Sequence, residues 1–324
     1  MQTRFSNRAM KICHRLASYF ALAASFLGTL SAFAQTRVPG TPVVITPPKG
    51  LELSDQFPGF INAETNSSLV VTVLNGAPFD AVTEGFSDPD DPRVKEQKIT
   101  ILENNEVEIS GKKAKLIRMN QEALGQTVEK WGAFIDNSDG VIIVIGNGME
   151  EDNNQFLSEL KEGLMTLKLE EGSEVDPKEN FKFSLDPVFP FQESNVLGHS
   201  IVYGLTDGPV AENPDDPMFI IAQSFTEDVD LEEGTAAFAR SRFKQLDNLT
   251  GHEILSTEAV NLAGLDGTLL KGKGKSTTEV DTSVELAILD TKDGYFILIG
   301  QCPTENYANW SFIFEEMRGQ FKLK

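Results

Sequence analysis

The chain has 324 residues, 40% of them hydrophobic and 24% charged, with 49 acidic residues against 28 Lys+Arg and a net charge of −21. That charge repels nucleic acid and anionic membrane, which removes both as partners, and the length suits two domains of ordinary size. Two cysteines and three histidines leave little material for a zinc cluster or a disulfide framework.

The first 34 residues read as a signal peptide. Arg4, Arg8, Lys11 and Arg15 form a basic start with no acid, an apolar stretch runs from Leu16 to Ala32, and Ala32-Phe33-Ala34 is a small-x-small cleavage site. Cleavage after Ala34 predicts a periplasmic or secreted protein with no stable membrane insertion. Cys13 leaves with the peptide, so only Cys302 remains and no intramolecular disulfide forms. The leader takes four bases and no acid, leaving 24 against 49 and a net charge of about −25.

Residues 35–49 hold four prolines and a glycine and predict an extended tether. A first domain is expected over 50–169. It has a short turn of helix around Phe79 to Phe86, then an acidic loop over Asp88 to Asp91. The hairpin Glu106 to Gly111 follows, then a strand from Trp131 to Ile135. Asp139-Gly140 turns the chain into the apolar run Val141 to Ile145, which must be covered on both faces. Phe156, Leu160 and Leu164 recur at helical spacing and supply one cover.

An acidic break over 170–180 separates a second domain, 181–324, that repeats the plan. Here Asp293-Gly294 leads into Tyr295 to Ile299, at an offset of 154 from the first half, and Val260 to Gly264 matches Val107 to Gly111 at 153. A longer helix is expected after acidic caps at Thr226 to Asp230, with Ala236, Ala239, Phe243 and Leu246 on one face. Tyr307, Trp310, Phe314 and Met317 mark the last helix and its core face. The fold class is α+β: two tandem α/β/α sandwiches, each an antiparallel sheet covered by helices.

Taken together, the acid-capped helix, the E-x-V-x-I/L-x-G hairpin (Glu106 to Gly111, Glu258 to Gly264 with one extra residue), the Asp-Gly hairpin into a buried strand and the aromatic helix followed by Phe321-Lys322-Leu323 resemble the PsbP-like superfamily. That group includes extrinsic photosystem II subunits, a nuclear Ran-binding protein and periplasmic DcrB-like proteins. The resemblance implies an antiparallel sheet between helices, and members that bind or support other proteins without catalysing a reaction.

Few residues offer chemistry. There is no G-x-S-x-G elbow, and His199, His252 and Cys302 are scattered. The acids Asp228 to Glu233 depart from a calcium loop, with Gly234 one place late and Ala239 where a bidentate Glu is required. Asp215 and Asp216 could hold a surface calcium or form an ordinary turn. Lys271, Lys273 and Lys275, interleaved with glycine, form the one basic run of the mature chain. It can bind an anion or serve as a hairpin tip. Trp131 aligns with Glu285, which points either to an exposed binding surface or to packing under the first domain's shorter helix. The expected function is that of a non-catalytic exported factor that needs no cofactor and binds another envelope or secreted protein. The alternatives are a module for a small ligand or calcium, sited in the acidic loops or the cleft between domains, and an unrecognised hydrolase.

Overall fold

Two hairpin turns carry the same uncommon backbone. Ser110 and Gly111 have φ of 53° and 74°, and Ala263 and Gly264 have 50° and 85°. Positive φ at both central residues suits the right-handed twist of the flanking strands, so each turn fixes a long antiparallel hairpin in register. The computed structural model describes residues 35–324 except 89–90, 92–93, 96, 124–125, 149–152, 171, 173–174, 206–214, 225–230, 232, 247 and 293. The expected signal peptide, most of the Asp228 to Glu233 acids and part of the Asp88 to Asp91 loop lie outside the described residues.

In the first half the strands are β1 (Thr36–Arg37), β2 (Val43–Ile45), β3 (Glu52–Leu53), β4 (Gly59–Asn62), β5 (Ser67–Asn75), β6 (Ile99–Ile109), β7 (Lys112–Ala123), β8 (Gln126–Asn137), β9 (Gly140–Gly148) and β10 (Lys168–Leu169), with helices α1 (Phe79–Thr83) and α2 (Asn153–Thr166). The second half has β11 (Phe183–Leu185), β12 (Gln192–Leu197), β13 (Ser200–Gly204), β14 (Met218–Gln223), β15 (Leu249–Leu262), β16 (Leu265–Ser276), β17 (Asp281–Thr291), β18 (Gly294–Pro303) and β19 (Phe321–Leu323), with α3 (Thr235–Lys244) and α4 (Tyr307–Gly319).

Each half builds a seven-stranded antiparallel sheet. The orders are β3-β4-β5-β9-β8-β7-β6 and β12-β13-β14-β18-β17-β16-β15. The paths are the same, and each sheet ends on the outer strand of its long hairpin. Small sheets β1-β2-β10 and β11-β19 close each unit. The fold is therefore α+β, with two similar sheet domains.

Alternation along the central strands decides which helix covers which face. On β9, Ile142 and Val144 meet Leu157, Leu160 and Leu164 of α2, while Val141, Ile143 and Ile145 face Phe79 and Val82 of α1. On β18, Phe296 and Leu298 meet Phe314 and Met317 of α4, and Tyr295, Ile297 and Ile299 face Ala239 and Phe243 of α3. Fully burying one such side chain stabilises the fold by roughly 1.5–3 kcal/mol. That is why the apolar runs on these strands are nearly continuous.

The structure revises three expectations. The proline-rich stretch is not a free tether: Val38, Val43 and Ile45 are fully buried in the first core, and β2 pairs with both β1 and β10. The valine and isoleucine positions outweigh the prolines, which fall outside β2. Helix α3 begins at Thr235 behind Gly234, at φ 82° and without a side-chain cap, so the acids expected to cap it lie upstream. In the Asp-Gly hairpin of the first half, Asn137 pairs with Gly140, making Ser138-Asp139 the loop. Gly140 (φ 145°) is required because a Cβ there would stand 1.9 Å from the Leu74 carbonyl oxygen.

Residues 36–324 form one compact unit, and Gln223 ties its halves together. Its buried amide donates to the Gln56 carbonyl at 2.6 Å and to the Asn180 carbonyl at 3.1 Å, and its Oε1 accepts from the Lys182 N–H at 2.9 Å. Gly40 N–H donates to Glu179, and Lys182 pairs with Asp55. Three hydrogen bonds satisfy one buried amide, so the junction is specified by geometry rather than by apolar area alone.

Candidate functional site

The predicted site residues do not converge. Trp131 is 3% exposed and belongs to the first core, so the exposed-surface reading of this side chain is corrected. Its place on β8 points toward α2, and Lys161 Nζ lies 4.5 Å from the ring centroid. That contact is a cation–π cover over a core residue.

Lys271, Lys273 and Lys275 are not at a hairpin tip; they lie within β16. Each has an acid near it: Glu258 at 3.7 Å for Lys271, Glu253 at 3.1 Å for Lys273 and Glu279 at 3.7 Å for Lys275. The glycines between them have a packing cause. A Cβ on Gly272 would meet the Phe243 ring at 2.4 Å, and one on Gly274 would meet the Thr250 carbonyl oxygen at 2.8 Å. One face of the strand is stripped to backbone, at Gly272 for Phe243 of α3 and at Gly274 for β15, and the other carries paired lysines. Paired in this way, the run is not a ready phosphate cradle.

Asp215 is committed to the β16–β17 turn, where its carboxylate accepts from Ser276 Oγ at 2.8 Å and from Thr278 Oγ1 at 2.7 and 2.6 Å. Asp216 beside it is exposed. Among the described residues no three His, Cys, Asp or Glu side chains gather as metal ligands.

The thiol and imidazoles are bound up in packing as well. Cys302 is buried, and burial, helped by the Glu285 charge, pushes its thiol up to about 12. A thiol so shifted is a poor nucleophile at neutral pH. His252 sits edge-on to Phe243, ring centroids 5.3 Å apart. Burial holds His199 down at about 4, so it is neutral in ordinary buffers.

The position opposite Trp131 in the repeat is a buried acid. Glu285 is 1% exposed; it pairs with Arg318 of α4, accepts from Tyr307 OH at 2.6 Å and stands 3.9 Å from Lys271. Burial and the bond to Glu285 raise the Tyr307 phenol. The first half puts Trp131 and Leu164 in the places of Glu285 and Arg318. An ion network here substitutes for apolar packing.

Sequence reasoning missed one surface feature. On β6 the register slips between Ile101 and Glu103, so Leu102 is an extra, unpaired residue. On β15 it slips between Ile254 and Ser256, and Leu255 takes the same role. Both are β-bulges on the outermost strand of a sheet. Leu102 is 44% exposed and Leu255 56%, while Ile101 and Ile254 beside them pack inward. The signal was present as a doubled apolar residue breaking the alternation in both halves, 153 residues apart.

Neither a protein-family model nor a curated protein matches the chain. Among solved structures it is similar to LpqN of Mycobacterium tuberculosis, involved in cell envelope biogenesis, at 17% identity over 44% of this chain and 83% of that one, TM-score 0.32. It is also similar to cyanobacterial PsbP from Synechocystis, at 11% identity over 44% and 82%, TM-score 0.30. The immunity protein TplEi of Pseudomonas aeruginosa matches at 10% identity over 87% and 95%, TM-score 0.32. With TM-scores this low, the functional reading rests on the geometry of this chain alone. Among the described residues no helix is long and apolar enough to cross a membrane.

Proposed function

We propose that this chain is an exported, non-catalytic protein of the envelope or secreted space, a tandem pair of PsbP-like units over 50–169 and 181–324 joined at 170–180, and that it binds another protein. The observation that carries this reading is the twin exposed leucine, Leu102 and Leu255, each lifted by a bulge on an outer strand. A bulge twists an edge away from ladder pairing, which disfavours strand addition. It leaves instead an apolar knob, and exposed Glu106 and Glu108 on β6 favour a globular partner with an apolar socket and a basic rim. Among the described residues the Cys302 thiol and the His252 imidazole are taken up in packing, which fits a binding role.

Site-specific photo-crosslinking tests the reading. A crosslinker at position 102 or 255 is expected to give one defined adduct in an envelope extract, absent when the group is placed at exposed Ser158 on α2. The same adducts from Ser158, or none from either leucine, would overturn it.

A further inference from the structure

The junction of the two halves holds a half-open cavity of about 240 Å³, whose walls include Gln56, Lys182, Ser224, Leu265, Lys292 and Phe296. Among the described residues no Asp or Glu side chain lines it, while three lysines do. Lys182 is paired with Asp55 and the Lys324 ammonium donates to the Lys178 carbonyl. Lys292 is exposed and has no acid partner among the described ion pairs.

Most polar groups of the wall are already paired, and one buried donor is not. Gln56 is buried, and its Nε2 has no hydrogen-bond partner. An orphaned buried donor is costly, and an arriving acceptor removes that cost. Ser224 Oγ already accepts the Tyr295 N–H at 3.2 Å, so its own proton is directed elsewhere. Opposite these donors the wall is apolar, from Leu265, Phe296 and Leu323. One uncommitted cation, two neutral donors and an apolar floor match a single negative charge on a small hydrophobic body, in a space below the usual range for drug-sized ligands.

We propose that this junction cavity binds a small organic monocarboxylate, its head held by Lys292 with Ser224 and Gln56, and its apolar body against Leu265 and Phe296. The Gln223 clamp lies in the same wall, so the ligand would also bridge the two halves.

Calorimetric titration of the whole chain with benzoate, benzamide and inorganic phosphate tests this. Benzoate is expected to saturate one site, with benzamide at least tenfold weaker and phosphate not saturating. Lys292→Glu, at an exposed turn, should weaken benzoate at least tenfold, and Ser224→Ala should weaken it measurably. Lys168→Glu, on β10 outside the cavity, should leave it unchanged. No saturable benzoate binding, equal affinity for benzamide, a preference for phosphate, or full affinity in Lys292→Glu would each overturn the proposal.

Discussion

Gly300 lies directly beneath the ring of Phe314, so that a Cβ on it would come within 2.6 Å of Phe314 Cγ. At the matching positions 154 residues earlier, a Cβ on Gly146 would come within 2.4 Å of Leu160 Cδ1. In both halves a bare glycine on the central strand lets the last helix seat a fully buried core side chain. The relation joins sequence to packing, because the glycine ending each apolar run is selected by the helix above it.

Gly300→Ala is therefore expected to destabilise the fold by about 1–3 kcal/mol through overpacking. Gly146→Ala should cost less, since the end of a leucine yields more readily than a ring. Urea denaturation of both variants checks the order, and an equal or reversed cost would contradict the packing account.

The buried Glu285–Arg318 pair makes a sharper prediction. Arg318→Met leaves Glu285 without its main partner and should cost about 3–5 kcal/mol. Glu285→Trp combined with Arg318→Leu copies the residues of the first half and is expected to recover most of that loss. Tyr307 loses its acceptor in the double variant, which keeps the recovery below complete. Chemical denaturation of the single and double variants measures both effects.

His199 gives the fold a pH dependence with a definite sign. Its pKa is about 4 in the folded chain, lowered by burial, against about 6.5 when unfolded. The unfolded chain thus binds the proton more readily between these values. The contribution is fully present above about pH 6.5 and is lost as pH falls toward 4, on the order of 1–3 kcal/mol. Urea midpoints at pH 7.5 and 4.5 should differ less in His199→Asn than in the natural chain.

Cys302 should resist a thiol reagent such as iodoacetamide at pH 8 in the folded chain and react fully in denaturant. Its rate should follow opening of the second core, because the thiol is both enclosed and held protonated.

The frame of the molecule was legible because it follows from periodicity. The runs Val141 to Ile145 and Tyr295 to Ile299 announced strands covered twice, and Phe156, Leu160, Phe314 and Met317 announced the covering helices. The contributions of Val38, Val43 and Ile45 were not legible, since three apolar residues among prolines show no period until β10 arrives to pair with them. Trp131 was legible only in part: its alignment with an acid left exposure and packing under a helix both open, and the second half buries that acid against Arg318. The bulged leucines escaped notice because a bulge is a property of two paired strands, and one strand alone shows only a break in alternation.

The claim that Leu102 and Leu255 form the contact surface is tested most directly by the affinity of the purified crosslinked partner for single and double Leu→Lys variants whose melting temperatures are unchanged. Each single change is expected to weaken binding at least tenfold, and the double change to abolish it. Full affinity in the double variant would contradict the account.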